Sequence, residues 1–266
     1  MNYYHYDKKD LIKAYTSLNL KKDDTIYITG SLLSLGRYKG KNILNDTYKI
    51  LKKILGKNFT IAFPTHSLRL LNNKREIYDH DKTYSESGSL TEFLRKKKSF
   101  RQIHPFSSTA ALGKNAKYIC ENNTKHVYGP DSPFERLINL KSKFISIGME
   151  PRFCSSQVHH AEFLMKVPYR YIKKFKKKIK IKKKIYLKNF YLFSLKKKYY
   201  KFKRDRNKKI FNFFLKKNKI FKTKLGKNFI YSYNIFDFHL STIRLMKKNI
   251  YSWLSDEAIK FYKLKS

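Results

Sequence analysis

The chain has 266 residues, 41% hydrophobic and 16% aromatic, enough to bury a sizeable core and too apolar for a disordered chain. No apolar run approaches a membrane span and the first residues lack a secretory h-region, so the expected setting is cytoplasmic, with Cys120 and Cys154 as free thiols. The 61 Lys and Arg against 19 Asp and Glu give a net charge of +42. Of this, +25 falls in residues 170–228, where 26 bases meet the single acid Asp205. Lysine exceeds arginine there and is mixed with Ile, Asn, Phe and Tyr, all with A/T-rich codons. Coding bias therefore suffices to explain the stretch; the competing reading is a cationic surface facing an anionic partner.

In chain order, residues 10–18 predict an opening helix and 25–29 an apolar strand. The strand runs into the Gly/Ser loop 30–36. A helix follows over 43–55, with Gly56 at its C-cap, and then a strand over 59–63 before Pro64. Residues 87–95 read as a loop entering a helix, with Ser89 and Glu92 at capping-box spacing. A strand over 143–147 ends at Gly148, and 157–164 opens a helix. Isoleucines and aromatics alternating with lysines over 179–193 predict antiparallel strands with one wet face. Residues 207–217 read as an amphipathic helix, 226–238 as a strand pair and 240–254 as a closing helix. The β-loop-α-β order predicts an α/β fold: a single domain over 1–266, with a mixed sheet flanked by helices and lysine-rich antiparallel strands in the C-terminal half.

Residues with chemical use cluster in four segments. The loop 29–36 offers backbone N–H groups and hydroxyls to a phosphate or an acyl carbonyl, as do many ordinary βα turns. Residues 101–113, RQIHPFSSTAALG, form a polar loop passing into tight packing. Tyr128–Pro133 is a rigid turn with His126 just upstream. In the segment 156–162, SQVHHAE, His159 and Glu162 share one face of a helix, where a carboxylate can orient an imidazole and raise its basicity. A structural hydrogen bond is the plainer alternative for that pair, and His160 points to another face.

Taken together and in this order, the segments resemble the aminoglycoside 3-N-acetyltransferase family. Ser31–Gly36 matches its Ser-Leu loop ending in Gly, and Phe63-Pro64-Thr65 its strand ending in Pro-Thr. Thr91, Glu92 and Arg95 follow, with the arginine one residue closer than in the family pattern. Next come Arg101, His104, Pro105, Ser108, Ala110, Ala111 and Gly113, then His126 with Gly129, Ser132 and Pro133, and last Ser156, His159 and Glu162. The resemblance is clear over roughly residues 8–165 and weak beyond. Ser156 replaces a threonine, lysines 96–98 replace the usual turn before Arg101, and the Gly148–Cys154 approach is about one residue longer.

The resemblance implies a non-GNAT acetyltransferase fold that uses acetyl-CoA and needs no metal. It implies CoA contacts from Ser31, Leu32, Ser34, Gly36, Arg101, His104 and Ser108, and catalysis by His159 with Glu162 on a small-molecule amino-sugar acceptor. The family places part of its acceptor site in the segments that are lysine-rich here, so a less cationic amino sugar fits the charge better than a polycationic aminoglycoside. Direct transfer is expected, with a covalent route through Cys154 as the alternative. Two other readings stay open: a family member without turnover, and an anionic-polymer or nucleic-acid binding module built on 170–228. The module leaves the His-Pro, Ser-Pro and HxxE segments unexplained, so nucleic acid is not the expected partner. The oligomeric state is open.

Overall fold

Ile26 and Ile28 leave one side of their strand and Tyr27 the other, and all three are buried. A strand apolar on both faces must lie between two layers. The computed structural model, which describes residues 5–73, 75–199, 208–216 and 220–264, has that three-layer form.

The chain opens with β1 (His5–Tyr6), α1 (Lys8–Thr16), β2 (Thr25–Gly30), β3 (Arg37–Tyr38), α2 (Ile43–Leu55) and β4 (Thr60–Pro64). Asn42 caps α2 by accepting the Asn45 N–H, and Gly56 ends it at φ +74. Next come β5 (Tyr78–Asp79), α3 (Ser89–Arg95), β6 (Phe100–Arg101), β7 (Thr109–Gly113), α4 (Ala116–Cys120), α5 (Pro133–Asn139), β8 (Lys143–Ile147) and α6 (Gln157–Leu164). The predicted capping box does not form at α3. Gly88 is the N-cap without a side-chain bond, and Glu92 instead accepts the Ser85 N–H at 2.9 Å and pairs with Arg95 at 2.7 Å.

The C-terminal part contains β9 (Arg170–Ile181), β10 (Lys184–Leu195), α7 (Lys208–Leu215), β11 (Phe221–Leu225), β12 (Asn228–Asn234), α8 (Ile235–Lys248) and α9 (Asp256–Phe261). Residues 207 and 217 of the predicted helix lie outside the described residues. The predicted strand pair 226–238 and closing helix 240–254 are out of register. Gly226 belongs to the turn between β11 and β12, and the helix starts at Ile235 because the Asn234 side chain accepts the Asp237 N–H at 3.1 Å. No helix among the described residues is long and apolar enough to cross a membrane.

Seven strands form the central sheet in the order β11-β12-β8-β2-β4-β7-β6. β2 is parallel to both β4 and β8, and the outer pairings are antiparallel, so the sheet is mixed. On one face Ile26, Ile28, Ile61, Phe63, Ile145 and Ile147 pack with Leu11 and Tyr15 of α1, Leu51 and Leu55 of α2, and Leu94 of α3. On the other face Tyr27, Phe144 and Tyr233 pack with Leu137, Val158, Phe214, Phe238 and Trp253. Each such large buried side chain contributes about 1.5–3 kcal/mol relative to exposure. β9 and β10 pair along their full length and join β5 in a separate three-stranded sheet, whose inner face buries Ile179 and Phe190 against Leu70, Tyr78 and Phe106. Both cysteines are free.

The three parallel strands end side by side, and glycine is required where their loops touch. Gly148 has φ +63, and a Cβ there would lie 1.9 Å from Ser34 Oγ and 2.6 Å from the Ser31 carbonyl oxygen. Gly148→Ala should therefore lower the melting temperature more than Gly56→Ala, where φ is +74 but the nearest atom is 3.7 Å away. The expected loss is about 2 kcal/mol or more for Gly148→Ala, the upper part of the range for a strained backbone plus a clash. Equal melting temperatures for the two variants in thermal denaturation would contradict this packing.

Candidate active site

Loops that follow β2, β4 and β8 converge at the C-terminal edge of the parallel strands, where open α/β sheets place their ligands. Ser31 N–H donates to the Ile147 carbonyl at 2.8 Å, and Ser34 Oγ donates to the carbonyls of Ser31 at 2.6 Å and Gly148 at 2.8 Å. Leu32 and Leu35 are buried while Leu33 projects into solvent, and Gly36 closes the turn at φ +103. The N–H groups of Leu32, Leu33 and Ser34 find no protein acceptor among the described residues. Three neighbouring free amides at a strand end suit the anionic part of a ligand such as CoA.

Arg101, His104 and Ser108 lie beneath this surface and not on it. Arg101 is buried, and its guanidinium donates to the carbonyls of Thr65 at 2.9 Å, Thr83 at 2.7 Å and His80 at 3.3 Å. Its Nε also faces the hydroxyls of Thr65 and Ser108, each at 3.2 Å. Ser108 Oγ lies 2.7 Å from Thr65 Oγ1, and the Thr65 N–H donates to the Ser108 carbonyl at 2.8 Å. His104 is fully buried, and its Nδ1 accepts the Ser107 N–H at 3.1 Å. The hydrogen-bonding groups of Arg101 and Ser108 are thus spent on protein atoms, and all three residues brace the loops above them.

A cleft of about 240 Å³ opens above Thr29 and Pro64, walled by His66, Glu86, Ser87, Cys154 and Ser156. His66 is held by Ser107 Oγ at 3.1 Å from its Nδ1; burial, then the nearby Arg101 charge, lower its pKa to about 4. Glu86 is the one acid on this wall, and Arg69 pairs with it at 3.5 Å. Burial pushes the Cys154 thiol up to about 11. Among the described residues no group of three or more His, Cys, Asp or Glu could hold a metal ion.

Ser156 stands at the start of α6, one turn before His159, without a side-chain capping bond. The structure brings His159 and Glu162 together: Nδ1 lies 2.5 Å from Glu162 Oε2. The imidazole is 18% exposed and the carboxylate 0%. Glu162 Oε1 accepts the Tyr169 hydroxyl at 2.8 Å, and Arg170 Nε stands 2.9 Å from Oε2. Burial alone would raise the Glu162 carboxyl; the His159 contact, the Arg170 charge and the Tyr169 hydroxyl outweigh it and hold it below its ordinary value. The imidazole meets the rings of Tyr128 and Trp253 edge-on, with centroids 5.7 and 5.6 Å away. His160 turns the other way, is buried, and accepts the Gly129 N–H at 3.3 Å, tying the rigid turn to α6.

Sequence reasoning missed His66, Tyr169, Arg170 and Trp253. Arg170 left a signal, being the one arginine in a lysine run through 170–199, and Trp253 is the only tryptophan of the chain. Tyr169 left none.

A family model described as aminoglycoside 3-N-acetyltransferase matches residues 28–246. Over 101 residues the chain is 35% identical to aminoglycoside N(3)-acetyltransferase IX of Micromonospora chalcea, a match spanning 36% of each protein. Among solved structures, the aminoglycoside acetyltransferase AAC(3)-Xa superposes with a TM-score of 0.78 at 17% identity, over 92% of this chain and 93% of that one. The YokD protein from Bacillus subtilis gives 0.74 at 19% identity, over 91% and 99%. AAC-IIIb in a binary complex with CoASH gives 0.76 at 18% identity, over 92% and 97%. These structures share the fold.

Four histidines are kept neutral by the fold. Burial lowers the pKa of His104 and His160 to about 3 and of His66 and His239 to about 4, with the charge of Arg101 adding to the shift at His66 and that of His239 at His160. All four lie below the ordinary 6.5, so below that pH the unfolded chain binds protons that the folded rings refuse. Each ring then removes up to about 1.4 kcal/mol of stability per pH unit as the pH falls toward its folded value. The melting temperature should fall steadily from pH 6.5 to 4.5, and His160→Gln should make the slope shallower. A flat profile in that window would show that these rings are not held neutral.

Proposed function

The chain belongs to the aminoglycoside 3-N-acetyltransferase family, and from that premise we propose that it transfers an acetyl group from acetyl-CoA to an amine of a sugar, with His159 as general base. The observation that carries this reading is the His159–Glu162 contact, backed by Arg170 and Tyr169, one helical turn from the cleft. Acetyl-CoA supplies the activated acetyl thioester. The free amides of Leu32, Leu33 and Ser34 fit its anionic part, within the loop from Ser31 to Gly36. Arg101, His104 and Ser108 support that binding by positioning the loops.

Because Glu162 engages Nδ1, the acceptor proton goes to Nε2. His159 takes that proton as the C–N bond forms, and returns it to the leaving sulfur as the C–S bond breaks. Glu162 fixes the ring and balances its transient charge, while the hydroxyls of Ser87 and Ser156 offer donors to the carbonyl oxygen. Cys154 is a poor nucleophile with its thiol pushed up to about 11, which favours direct transfer. His159→Asn should reduce turnover about a hundredfold or more, in line with losing a general base, while the rise in melting temperature caused by acetyl-CoA persists. His160→Ala should retain far more activity. Thiol-release assays in which the His159 variant keeps near-normal turnover would end the general-base assignment.

For the acceptor we propose an amino sugar less cationic than an aminoglycoside, as in surface-polysaccharide metabolism. The single acid on the described cleft wall is already paired with Arg69. Residues 170–195, which follow the catalytic helix, hold eleven bases and no acid. A polycation would be repelled on approach and find few carboxylate partners. Added salt should raise whatever aminoglycoside turnover exists and lower turnover of an anionic acceptor. The two acceptor classes can be competed at low and moderate ionic strength. Aminoglycosides outperforming every amino sugar, with turnover that falls as salt rises, would refute the assignment.

A further inference from the structure

The β9–β10 hairpin carries the most concentrated charge among the described residues, and its two faces differ. Phe175, Lys177 and Ile179 turn inward: Ile179 is buried in the small core, and Lys177 is spent on the carbonyls of Leu70 at 3.1 Å and Asn73 at 2.5 Å. Alternation then places Ile172, Lys174, Lys176, Lys178 and Lys180 on the opposite, outward face, which is open toward the tip and packs on His126 and Phe163 through Tyr191 and Phe193 toward the base. Across the register they meet Phe193, Tyr191, Asn189, Leu187 and Ile185 in that order. Lys182 and Lys183 make the turn, and Lys184 follows.

This face is cationic and aliphatic together. Ile172 is 48%, Ile185 55% and Leu187 56% exposed, next to exposed Lys174, Lys176 and Lys178. Among the described residues only Lys180 of this face and turn has an acid partner, Asp79 at 3.3 Å. Ile185 and Leu187 stand side by side with these lysines toward the tip, so the patch pairs positive charge with aliphatic surface. A nucleic acid would satisfy the lysines but leave the aliphatic side chains wet. The rings on this face are also committed: Tyr191 lies on His126 with centroids 4.4 Å apart, and Phe193 packs on Phe163 at 5.4 Å, while the exposed Tyr171 and Tyr186 stand on the opposite face.

We propose that the outward face and tip of this hairpin dock the protein on an anionic lipid surface. Lysine ammonium groups would sit among the headgroups, their stems lying along the surface, while Ile172, Ile185 and Leu187 enter the headgroup–acyl boundary. The hairpin is held at its base by the Arg170–Glu162 pair, so docking would hold the catalytic helix in a fixed relation to the membrane. This assignment does not depend on the acceptor or on turnover.

Co-sedimentation of the full chain with extruded vesicles tests it. Vesicles of phosphatidylcholine with about one third phosphatidylglycerol should pellet the protein at moderate ionic strength, and pure phosphatidylcholine vesicles should not. The triple variant Lys174→Glu, Lys176→Glu, Lys178→Glu should lose binding at least tenfold. The double variant Ile185→Ser, Leu187→Ser should lose it several-fold with the salt dependence intact, and circular dichroism should show both variants folded. Failure of the unmodified protein to bind the anionic vesicles overturns the proposal whatever the variants do. So does undiminished binding by a folded Ile185/Leu187 variant, or tighter retention by single-stranded RNA than by anionic vesicles.

Discussion

Glu162 is a carboxylate with no exposed surface, and its burial is tolerable only because His159, Tyr169 and Arg170 surround it. An isolated buried charge of that kind would protonate or unfold its surroundings. The three partners come from different segments: one from the same helix, one from the turn after it, and one from the first residue of β9. Satisfying this carboxylate therefore fixes α6 against the base of the hairpin. It also leaves the imidazole little rotational freedom, since Tyr128 and Trp253 flank the ring. Preorganisation of the His159–Glu162 pair and placement of the lysine-rich hairpin follow from the same cluster.

The other polar side chains of α6 also reach across the fold, although the Gln157 Oε1 is buried without a partner among the described residues. Gln157 donates to the Tyr233 hydroxyl, which ties the helix to β12, and His160 accepts from Gly129. Arg101 plays the matching part under β4. Among the described residues it has no carboxylate partner and is held by carbonyl and hydroxyl oxygens and by the Tyr78 ring, 5.2 Å away, a geometry that suits the planar guanidinium fork and not an ammonium. Burial, and then the Arg101 charge beneath the cleft, keeps His66 neutral.

Local features were legible in the sequence. Helix 43–55 and the strand 143–147 follow from their apolar patterns, with Gly56 marking the end of the first, and 157–164 forms the helix expected there. The His159–Glu162 pair was readable because a separation of three on a helix is a local fact. The resemblance put Arg101 among the CoA contacts, and its own segment does not reveal that Thr65, Ser67, His80 and Thr83 surround its guanidinium. The capping-box spacing at Ser89 failed for a similar reason, as Ser85 and Arg95 claim the Glu92 carboxylate. Trp253 reaches His159 only through tertiary packing, and no spacing rule spans that distance.

Lysine enrichment obeys the fold more closely than its density suggests. Inward positions of the hairpin remain apolar at Phe175, Ile179 and Phe190, and the one buried lysine, Lys177, is satisfied by carbonyls. Burial thus decides where lysine is admitted, and coding bias can act only on the exposed positions. Bias explains lysine in place of arginine at those positions, and isoleucine among them as well. Composition alone made bias a sufficient account of the whole stretch, but the same A/T-rich codon preference leaves glutamate and aspartate available elsewhere in the chain, so the absence of acids across residues 170–195 needs a further reason. Eleven bases without one acid in 26 residues repel one another, a cost that an occasional glutamate would relieve. An exposed face that keeps this repulsion and also displays Ile185 and Leu187 is better accounted for by an anionic, partly apolar surface than by solvent alone.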